Sequence, residues 1–230
     1  MRARPRTVLV YHPEEAADYA ALVRAPRGAV TVHACATAAE AAPLAAEAEV
    51  IHGWRVPPAL YARAGRLRWV HAMGAGVEWA LVPELPRGVV VTRAPGVFGP
   101  WMAEYVVGWC SWVTQRVEAY RAAQRERRWR GELLPGRLRG ATLAVVGLGD
   151  IGRAVARAAR GLGMRVVGVS RTGRAVPGVA RVYRASGLRR ALAAADFAVV
   201  VLPLTEATRG LVGARELAAL RPTAWLLNIG

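Results

Sequence analysis

The sequence contains no lysine, so all 32 of its basic residues are arginines, and its only asparagine is Asn228. A formal net charge of +16 would ordinarily indicate a polyanionic partner such as nucleic acid or a membrane surface. The same bias runs through the whole composition, however, which favours alanine, arginine, glycine and proline. We therefore interpret the charge as a compositional bias with solvated arginines, and we expect neither nucleic acid nor a membrane as a partner.

Cysteine is almost absent: Cys35 and Cys110 lie far apart in the sequence among small or apolar neighbours. Two such residues predict neither a disulfide framework nor a zinc site, and they fit a reduced compartment. No apolar run reaches the ~18 residues of a membrane helix, and the basic start of the chain has too short an apolar run for a signal peptide. We expect a soluble, cytoplasmic protein without a metal.

The hydrophobic share of 54% excludes a disordered chain, because it supplies enough apolar surface to offset the entropy of folding. Short apolar runs alternate with helix-length segments, which predicts parallel sheets flanked by helices. A chain of 230 residues suits two such α/β domains. We predict one α/β domain over residues 1–100 and a second over residues 101–230, in which the pattern restarts at Ala141 as β-α-β-α-β-α-β, typical of a nucleotide-binding fold.

Residues 101–130 are predicted to form a linking helix. Its apolar residues recur at steps of three and four, which indicates a core or subunit-contact stripe and a homodimer. This stripe consists of Tyr105, Val106, Trp109, Trp112, Val113 and Val117. Basic residues surround Trp129 farther along, at Arg121, Arg125, Arg127, Arg128, Arg130, Arg137 and Arg139. Basic residues interleaved with an aromatic can bind nucleic acid, although we do not favour that function here.

The strongest local signal is "VVGLGDIG", in which Gly147, Gly149 and Gly152 have the spacing G-x-G-x-x-G. The first glycine permits a tight turn, the second lets the backbone approach a pyrophosphate, and the third lets the next helix pack on the strand. The pyrophosphate then lies at a helix N-terminus, where free N–H groups favour an anion. We predict dinucleotide binding; the alternative is a purely structural glycine turn.

The stretch "VVGVSRTGR" after the second strand bears on which dinucleotide is bound. An acidic residue about 20 positions after the glycines would accept hydrogen bonds from the ribose of NAD, whereas an arginine can pair with the 2′-phosphate of NADP. This stretch contains no carboxylate but has Ser170, Arg171, Thr172 and Arg174. Guanidinium groups match phosphate well, so NADP(H) is favoured over NAD(H). The alternative is that these are ordinary exposed arginines.

The stretches "VVGLGDIGRAVARAARGLGMRVVGVSR", "VVVLPLTEATRGLV" and "AWLLNIG", in this order, resemble the cofactor domain of the D-isomer-specific 2-hydroxyacid dehydrogenases. The resemblance extends upstream through "WVHAMGAGVEW" and "TRAPGVFGPWMAEYV", and "HGWRVPP" and "SRTGRAVPGV" point to the glyoxylate/hydroxypyruvate reductase branch. It implies two Rossmann/flavodoxin-like domains with parallel sheets, the second incomplete at its C-terminus. It also implies an NADP-preferring oxidoreductase that transfers hydride between nicotinamide and a small 2-oxo acid.

The resemblance also implies roles for individual residues. The loop "MGAGVE" matches one that holds the substrate carboxylate on backbone N–H groups, here those of Ala75 and Gly76, with Gly74 giving room. Trp54 and Arg55 match a loop beside the substrate, although an exposed arginine is the simpler reading of Arg55. The cofactor positions implied beside the three glycines are Met102, Asp150, Ile151, Pro203 and Ile229.

In the family, an arginine orients the substrate and a histidine paired with a carboxylate delivers the proton. The resemblance places that arginine directly after Gly230 and the other two residues farther on, so no catalytic residue is expected within these 230 residues. His71 alone could approach the substrate, and a strand-end histidine is the favoured reading of it. We expect a C-terminally truncated chain with negligible turnover. The alternative is a non-catalytic dinucleotide-binding regulator or scaffold.

Overall fold

The computed structural model describes residues 4–230, so the first three residues of the basic start lie outside the described part. The chain divides into two compact units between Pro95 and Gly96, a few residues before the boundary predicted at residue 100. Each unit is built on one five-stranded parallel sheet. The predicted architecture of two parallel-sheet α/β units is confirmed.

The first unit alternates strands and short helices. In chain order they are β1 (Arg6–Tyr11), α1 (Ala16–Leu22), β2 (Val30–Cys35), α2 (Ala38–Ala45), β3 (Ala48–Gly53), α3 (Pro58–Arg63), β4 (Trp69–Ala72) and β5 (Val90–Arg93). The strand order is β2-β1-β3-β4-β5, with every neighbouring pair parallel. All five strands therefore end at the same edge of the sheet, which is where open α/β sheets bind ligands.

The two faces of this sheet are covered unequally. On one face, Leu9, Ile51 and Val70 pack with the buried Tyr61 of α3. On the other face, Val8 and Val10 pack against Tyr19 of α1. Helix α1 does not cover the far strands, where Trp69 is 43% and Val90 58% exposed. Part of this second face therefore presents apolar side chains to solvent.

The second unit contains the rest of the chain. Its elements are α4 (Gly99–Thr114), α5 (Val117–Arg125), β6 (Thr142–Val146), α6 (Asp150–Gly161), β7 (Arg165–Val169), β8 (Arg181–Tyr183), α7 (Leu188–Ala193), β9 (Phe197–Val200), α8 (Ala214–Leu217) and β10 (Trp225–Asn228). The strand order β10-β9-β6-β7-β8 places β6 at the centre, and all five residues of β6 are buried. This is the doubly wound order of a dinucleotide-binding fold. Strand β8 is additional to the pattern β-α-β-α-β-α-β predicted from Ala141.

The predicted linking helix over 101–130 is wrong as a single element. It breaks between α4 and α5, where Arg116 has a left-handed backbone with φ 51°. The break is fixed by the loop before β6, because Gly136 N–H donates to the Thr114 carbonyl at 2.8 Å and Gln115 Nε2 donates to the Gly136 carbonyl at 3.1 Å. Nowhere in residues 4–230 is a helix long and apolar enough to cross a membrane.

Each unit holds one cysteine. Cys35 at the end of β2 belongs to the core of the first unit, and Cys110 of α4 belongs to that of the second; both are free thiols, each 1% exposed. Burial raises the pKa of the Cys110 thiol to about 11, and burial also raises the pKa of Cys35. Both residues act as small apolar side chains.

Candidate functional site

The turn after β6 is closed by two glycines that lie against backbone. Gly147 has φ 106°, its N–H donates to the Val169 carbonyl at 2.9 Å, and a Cβ on it would lie 2.1 Å from the Val201 carbonyl oxygen. A Cβ on Gly152 would lie only 1.9 Å from the Gly147 carbonyl oxygen. A side chain on Gly147 would force the turn away from the end of β9, and a side chain on Gly152 would force α6 away from the turn. These contacts are the physical reason for the first and third glycines of the motif.

The second glycine faces open space instead. A Cβ on Gly149 would have no described atom within 4 Å, and no described side chain caps the N-terminus of α6. The first N–H groups of the helix therefore point into a gap bounded by a glycine. Asp150 does not fill this gap, since its Oδ2 accepts the Gly96 N–H at 3.0 Å. Ile151 is half-buried and packs on the core.

The loop after β7 is held by its own hydroxyl groups. Ser170 Oγ accepts the Gly173 N–H at 3.1 Å, and Thr172 Oγ1 accepts the Arg174 N–H at 3.4 Å. The Ser170 N–H donates to the Tyr183 carbonyl at 3.0 Å, which ties the loop to the end of β8. Arg171 and Arg174 are exposed on this loop. The four predicted residues thus share one short loop at the carboxyl edge of the sheet.

Pro203 and Ile229 follow β9 and β10 but line different spaces. A cavity of about 260 Å³ contains Pro203, together with Leu202, Thr208, Asn228 and Gly230. Ile229 instead lines a groove of about 250 Å³ with Tyr105, Trp109 and Trp225. Met102 lies half-buried in the first turns of α4, where its N–H donates to the Phe98 carbonyl at 3.0 Å. The structure therefore does not bring these three predicted cofactor positions into one cavity.

In the first unit, the predicted substrate residues lie at the carboxyl edge of the sheet. A Cβ on Gly74 would lie 2.5 Å from Cζ3 of Trp54, so the indole covers this glycine. Arg55 has a left-handed backbone with φ 49°, and its guanidinium carbon lies 5.9 Å from the centre of the Trp54 ring. Trp54, Arg55 and Gly74 are thus brought together, as expected for a loop beside "MGAGVE".

Two residues that contact this loop were not predicted from the sequence. The Arg93 guanidinium, at the end of β5, donates to the Ala75 carbonyl at 3.1 Å, and the Glu78 carboxylate lies against Gly76, where a Cβ would be 2.7 Å from Oε2. The register that pairs Arg93 with Ala72 is what brings this arginine to the loop. Its only sequence signal was the position directly before "APG" at a strand end.

His71 lies in a row of rings on the partly covered face of the first sheet. Its ring stacks on that of His52, with centroids 5.1 Å apart, and its Nδ1 lies 2.8 Å from Oγ1 of Thr92. Burial lowers the pKa of His71, and burial together with the His71 imidazole lowers the pKa of His52. Both rings are therefore neutral near neutral pH, which suits packing better than proton donation.

The structure places Glu15 beside His12, a pairing that was not predicted from the sequence. The distance from His12 Nε2 to Glu15 Oε2 is 3.7 Å. The other ring nitrogen, Nδ1, accepts the Glu15 N–H at 2.9 Å at the start of α1. Both nitrogens are thus engaged at the start of one short helix. A three-residue spacing could have revealed this pair.

Four of the seven arginines predicted to surround Trp129 pair with acidic neighbours. Arg125 lies 3.3 Å from Glu118, Arg128 lies 3.5 Å from Glu126, and Arg130 pairs with Glu132. This pairing reduces the charge available to a phosphate backbone. Across the described residues, no cluster of three or more histidine, cysteine or carboxylate side chains could hold a metal ion.

Comparisons with known proteins agree with the glycine turn and the doubly wound sheet. Residues 108–230, more than half of the chain, match the family model for the NAD binding domain of D-isomer specific 2-hydroxyacid dehydrogenases. Glyoxylate/hydroxypyruvate reductase A of Serratia proteamaculans is 30% identical over 183 residues, which are 76% of this chain and 58% of that protein. The chain thus spans somewhat over half the length of this curated relative.

Solved structures extend the similarity over both units. A D-isomer specific 2-hydroxyacid dehydrogenase family protein from Aeromonas salmonicida is 32% identical, with a TM-score of 0.85 over 99% of this chain and 73% of that one. An NADPH-dependent glyoxylate/hydroxypyruvate reductase from Sinorhizobium meliloti, in complex with NADP and sulfate, is 30% identical, with a TM-score of 0.84 over 98% of this chain and 72% of that one. The chain therefore belongs to the D-isomer specific 2-hydroxyacid dehydrogenase family.

Proposed function

We propose that this chain binds NADP(H) and is the cofactor-binding part of a reductase of small 2-oxo acids such as glyoxylate or hydroxypyruvate. The observation that carries the proposal is the gap at Gly149, next to the uncapped N-terminus of α6. The helix dipole and free N–H groups favour an anion there, and the lack of a Cβ leaves room for a pyrophosphate. When bound, the nicotinamide would supply or accept the hydride.

The preference for NADP(H) over NAD(H) rests on the loop after β7. Arg171 and Arg174 are exposed there, and no carboxylate in the described part of the chain forms an ion pair with either. A carboxylate would accept from a ribose hydroxyl but repel a 2′-phosphate, whereas a guanidinium attracts that phosphate. The Sinorhizobium meliloti relative, whose structure contains NADP, supports this choice.

We propose that the substrate carboxylate binds to the N–H groups of Ala75 and Gly76 in the first unit. Neighbouring amides in a glycine-containing turn form an anion-binding concavity. Arg93 fixes this turn through the Ala75 carbonyl. The indole of Trp54 closes one side over Gly74. The loop therefore suits a small acid with a planar carboxylate.

We further propose negligible turnover from these 230 residues alone. His12 is engaged at the start of α1, and the lowered pKa values of His52 and His71 leave both rings neutral near neutral pH. A general acid must hold its proton at the working pH, so these histidines do not suit that role. Binding without turnover is also what a regulatory or scaffolding protein would show.

The test is a titration of the purified chain with NADPH and with NADH, followed by tryptophan fluorescence. We expect tighter binding of NADPH, and we expect the double variant Arg171→Ala/Arg174→Ala to lose most of that preference while keeping its affinity for NADH. Equal affinity for both cofactors in the unaltered chain would refute the NADP(H) assignment. Rapid reduction of glyoxylate by the chain with NADPH would refute the expectation of negligible turnover.

We also propose a homodimer that forms on an aromatic face of α4. Tyr105 and Trp109 are 52% and 46% exposed, their rings meet edge to face at 6.2 Å, and Trp109 also contacts Trp112. Exposed apolar patches of this kind mark interaction surfaces. In light scattering after gel filtration, Trp109→Glu should yield monomers, whereas Trp129→Glu, at a 94% exposed residue outside this face, should not. A monomeric unaltered chain would contradict the proposal.

We propose a cytoplasmic location on the basis of the two cysteines. Both are buried free thiols, one in each unit, as is usual in a reducing compartment. Fractionation of cells that express the protein would test this location.

A further inference from the structure

Arg184 lies against the loop that follows β7, although ten residues separate it from Arg174 in the sequence. It comes directly after β8, whose last residue, Tyr183, accepts a hydrogen bond from the Ser170 N–H at 3.0 Å. A Cβ on Gly173 would lie 2.8 Å from Cγ and 3.6 Å from Nε of Arg184. The arginine stem therefore crosses the loop at its glycine, between Arg171 and Arg174.

Gly173 is needed for this approach for two reasons. Its φ of 67° is a left-handed conformation that residues with a Cβ rarely adopt. A Cβ there would also meet the Arg184 side chain, as the 2.8 Å distance shows. The loop thus has the shape that lets a third arginine reach the same place from the neighbouring strand.

The charges at this place are unbalanced. No carboxylate within residues 4–230 forms an ion pair with Arg171, Arg174 or Arg184. Arg181, the next arginine along β8, differs because its guanidinium carbon lies 4.9 Å from the centre of the Tyr183 ring. Three like charges on two adjacent backbone segments repel one another, and an anion between them would relieve that repulsion.

The other polar groups of the loop fit an acceptor-rich anion. The oxygens of Ser170 and Thr172 accept backbone N–H groups, which leaves each hydroxyl hydrogen free to donate. Guanidinium groups have donors and no acceptors. The loop and Arg184 together therefore offer donors from five side chains to a ligand placed at the carboxyl end of β7.

We propose that Arg184 is a specificity-determining residue that pairs with the 2′-phosphate of the dinucleotide, alongside the arginines of the loop after β7. The inference rests on the proposed preference for NADP(H) and adds a residue from β8 to that site. A phosphomonoester dianion has three acceptor oxygens, so it can engage guanidinium groups from two segments at once. Pairing across two segments also fixes the loop around the phosphate.

The probes are 2′,5′-ADP and 5′-AMP, which differ by the 2′-phosphate alone, titrated calorimetrically into the chain at low and moderate salt. We expect Arg184→Ala to weaken 2′,5′-ADP binding about ten-fold, because a hydrogen bond to a charged group contributes roughly that factor. The affinity of this variant for 5′-AMP should change less than about two-fold, because an exposed residue that does not touch the ligand has little effect. Arg184→Lys should fall between Arg184→Ala and the unaltered chain, because it keeps the charge but loses the planar fork.

Arg165→Ala is the matched control, since it removes an exposed arginine from the opposite, amino end of β7. It should leave the affinity ratio of the two probes unchanged. Arg184→Gln provides a second neutral variant if Arg184→Ala is poorly folded by circular dichroism. An affinity ratio in the neutral Arg184 variants equal to that of the unaltered chain would overturn this inference alone. An unaltered chain that binds both probes equally, or neither, would overturn the NADP(H) preference and this inference with it.

Discussion

The close contact at Gly152 allows a quantitative prediction for Gly152→Ala. The new Cβ would lie 1.9 Å from the Gly147 carbonyl oxygen, whereas ordinary van der Waals contact begins at 3.4 Å, so the two must separate by 3.4 − 1.9 = 1.5 Å. Such a shift would pull Val155, a buried residue of α6, out of its contacts with the core. Overpacking of this kind costs about 3 kcal/mol, the upper end of its usual range. We expect the melting temperature to fall by roughly 10 °C.

Gly149→Ala provides the contrasting perturbation on the same turn. No described atom lies within 4 Å of the position of its Cβ, and its backbone, with φ −74°, suits alanine. Stability should therefore change by less than about 0.5 kcal/mol. The methyl group would nevertheless occupy the gap assigned to the pyrophosphate, and we expect at least about ten-fold weaker NADPH binding, equivalent to ~1.4 kcal/mol.

Gly161→Ala is the control for helix propensity, because its Cβ would meet open space at the C-terminal end of α6. It should stabilise the unit by up to ~1 kcal/mol and leave binding unchanged. Thermal melts followed by circular dichroism and NADPH titrations measure all three variants. A Gly152→Ala protein as stable as the parent would refute the close-contact argument. A Gly149→Ala protein with full NADPH affinity would refute the position of the pyrophosphate.

Three further predictions concern stability. The free energy of unfolding should decrease as pH falls below about 6.5, which is the pKa of an imidazole in the unfolded chain. The pKa values of His52 and His71 are lower in the folded protein, so the unfolded chain takes up protons first. In thermal melts from pH 8 to 5, His52→Phe should weaken this pH dependence. Tyr61→Phe should stabilise the first unit by up to ~1 kcal/mol in urea titrations, because the Tyr61 hydroxyl is buried without a partner in the described structure. Arg116→Gly should add ~1 kcal/mol in the same assay by relieving its left-handed backbone, and an unchanged midpoint would contradict that strain.

The sequence predicted those features that depend on local patterns. Apolar runs identified most strands, and glycine spacing identified the turn before α6, because such a turn needs glycines whatever surrounds it. Where an apolar pattern was very short, the element was not predicted, and where it continued across a break, the predicted element was wrong. Strand β8 has three residues, too few for a period to show. The apolar repeat continues through the break at Arg116 and therefore gave no sign of it. The break depends on hydrogen bonds between Gly136 and residues 114 and 115, which are about 20 residues earlier in the chain.

The candidate sites divide in the same way. The placement of the glycines at the turn before α6, and of Ser170 to Arg174 on one loop, was predictable because a recognisable motif contains them. The placement of Arg93 and Arg184 was not predictable, because each is one exposed arginine in a chain that contains 32 arginines. Only strand register brings Arg93 to Ala75, and only the hydrogen bond between Ser170 and Tyr183 brings β8 to the loop. Residues that are brought together only by the pairing of neighbouring strands carry no local signal.

Each unit contains one buried cysteine, so the alkylation rate of that thiol can report how often the unit opens. A thiol reacts with an alkylating reagent only as an accessible thiolate, so both buried residues should be inert until their unit opens. Cys35 then reports openings of the first core, and Cys110 those of the second. Pulsed alkylation, with the two sites separated by mass spectrometry, can therefore time the opening of each half within the intact chain, with no engineered label.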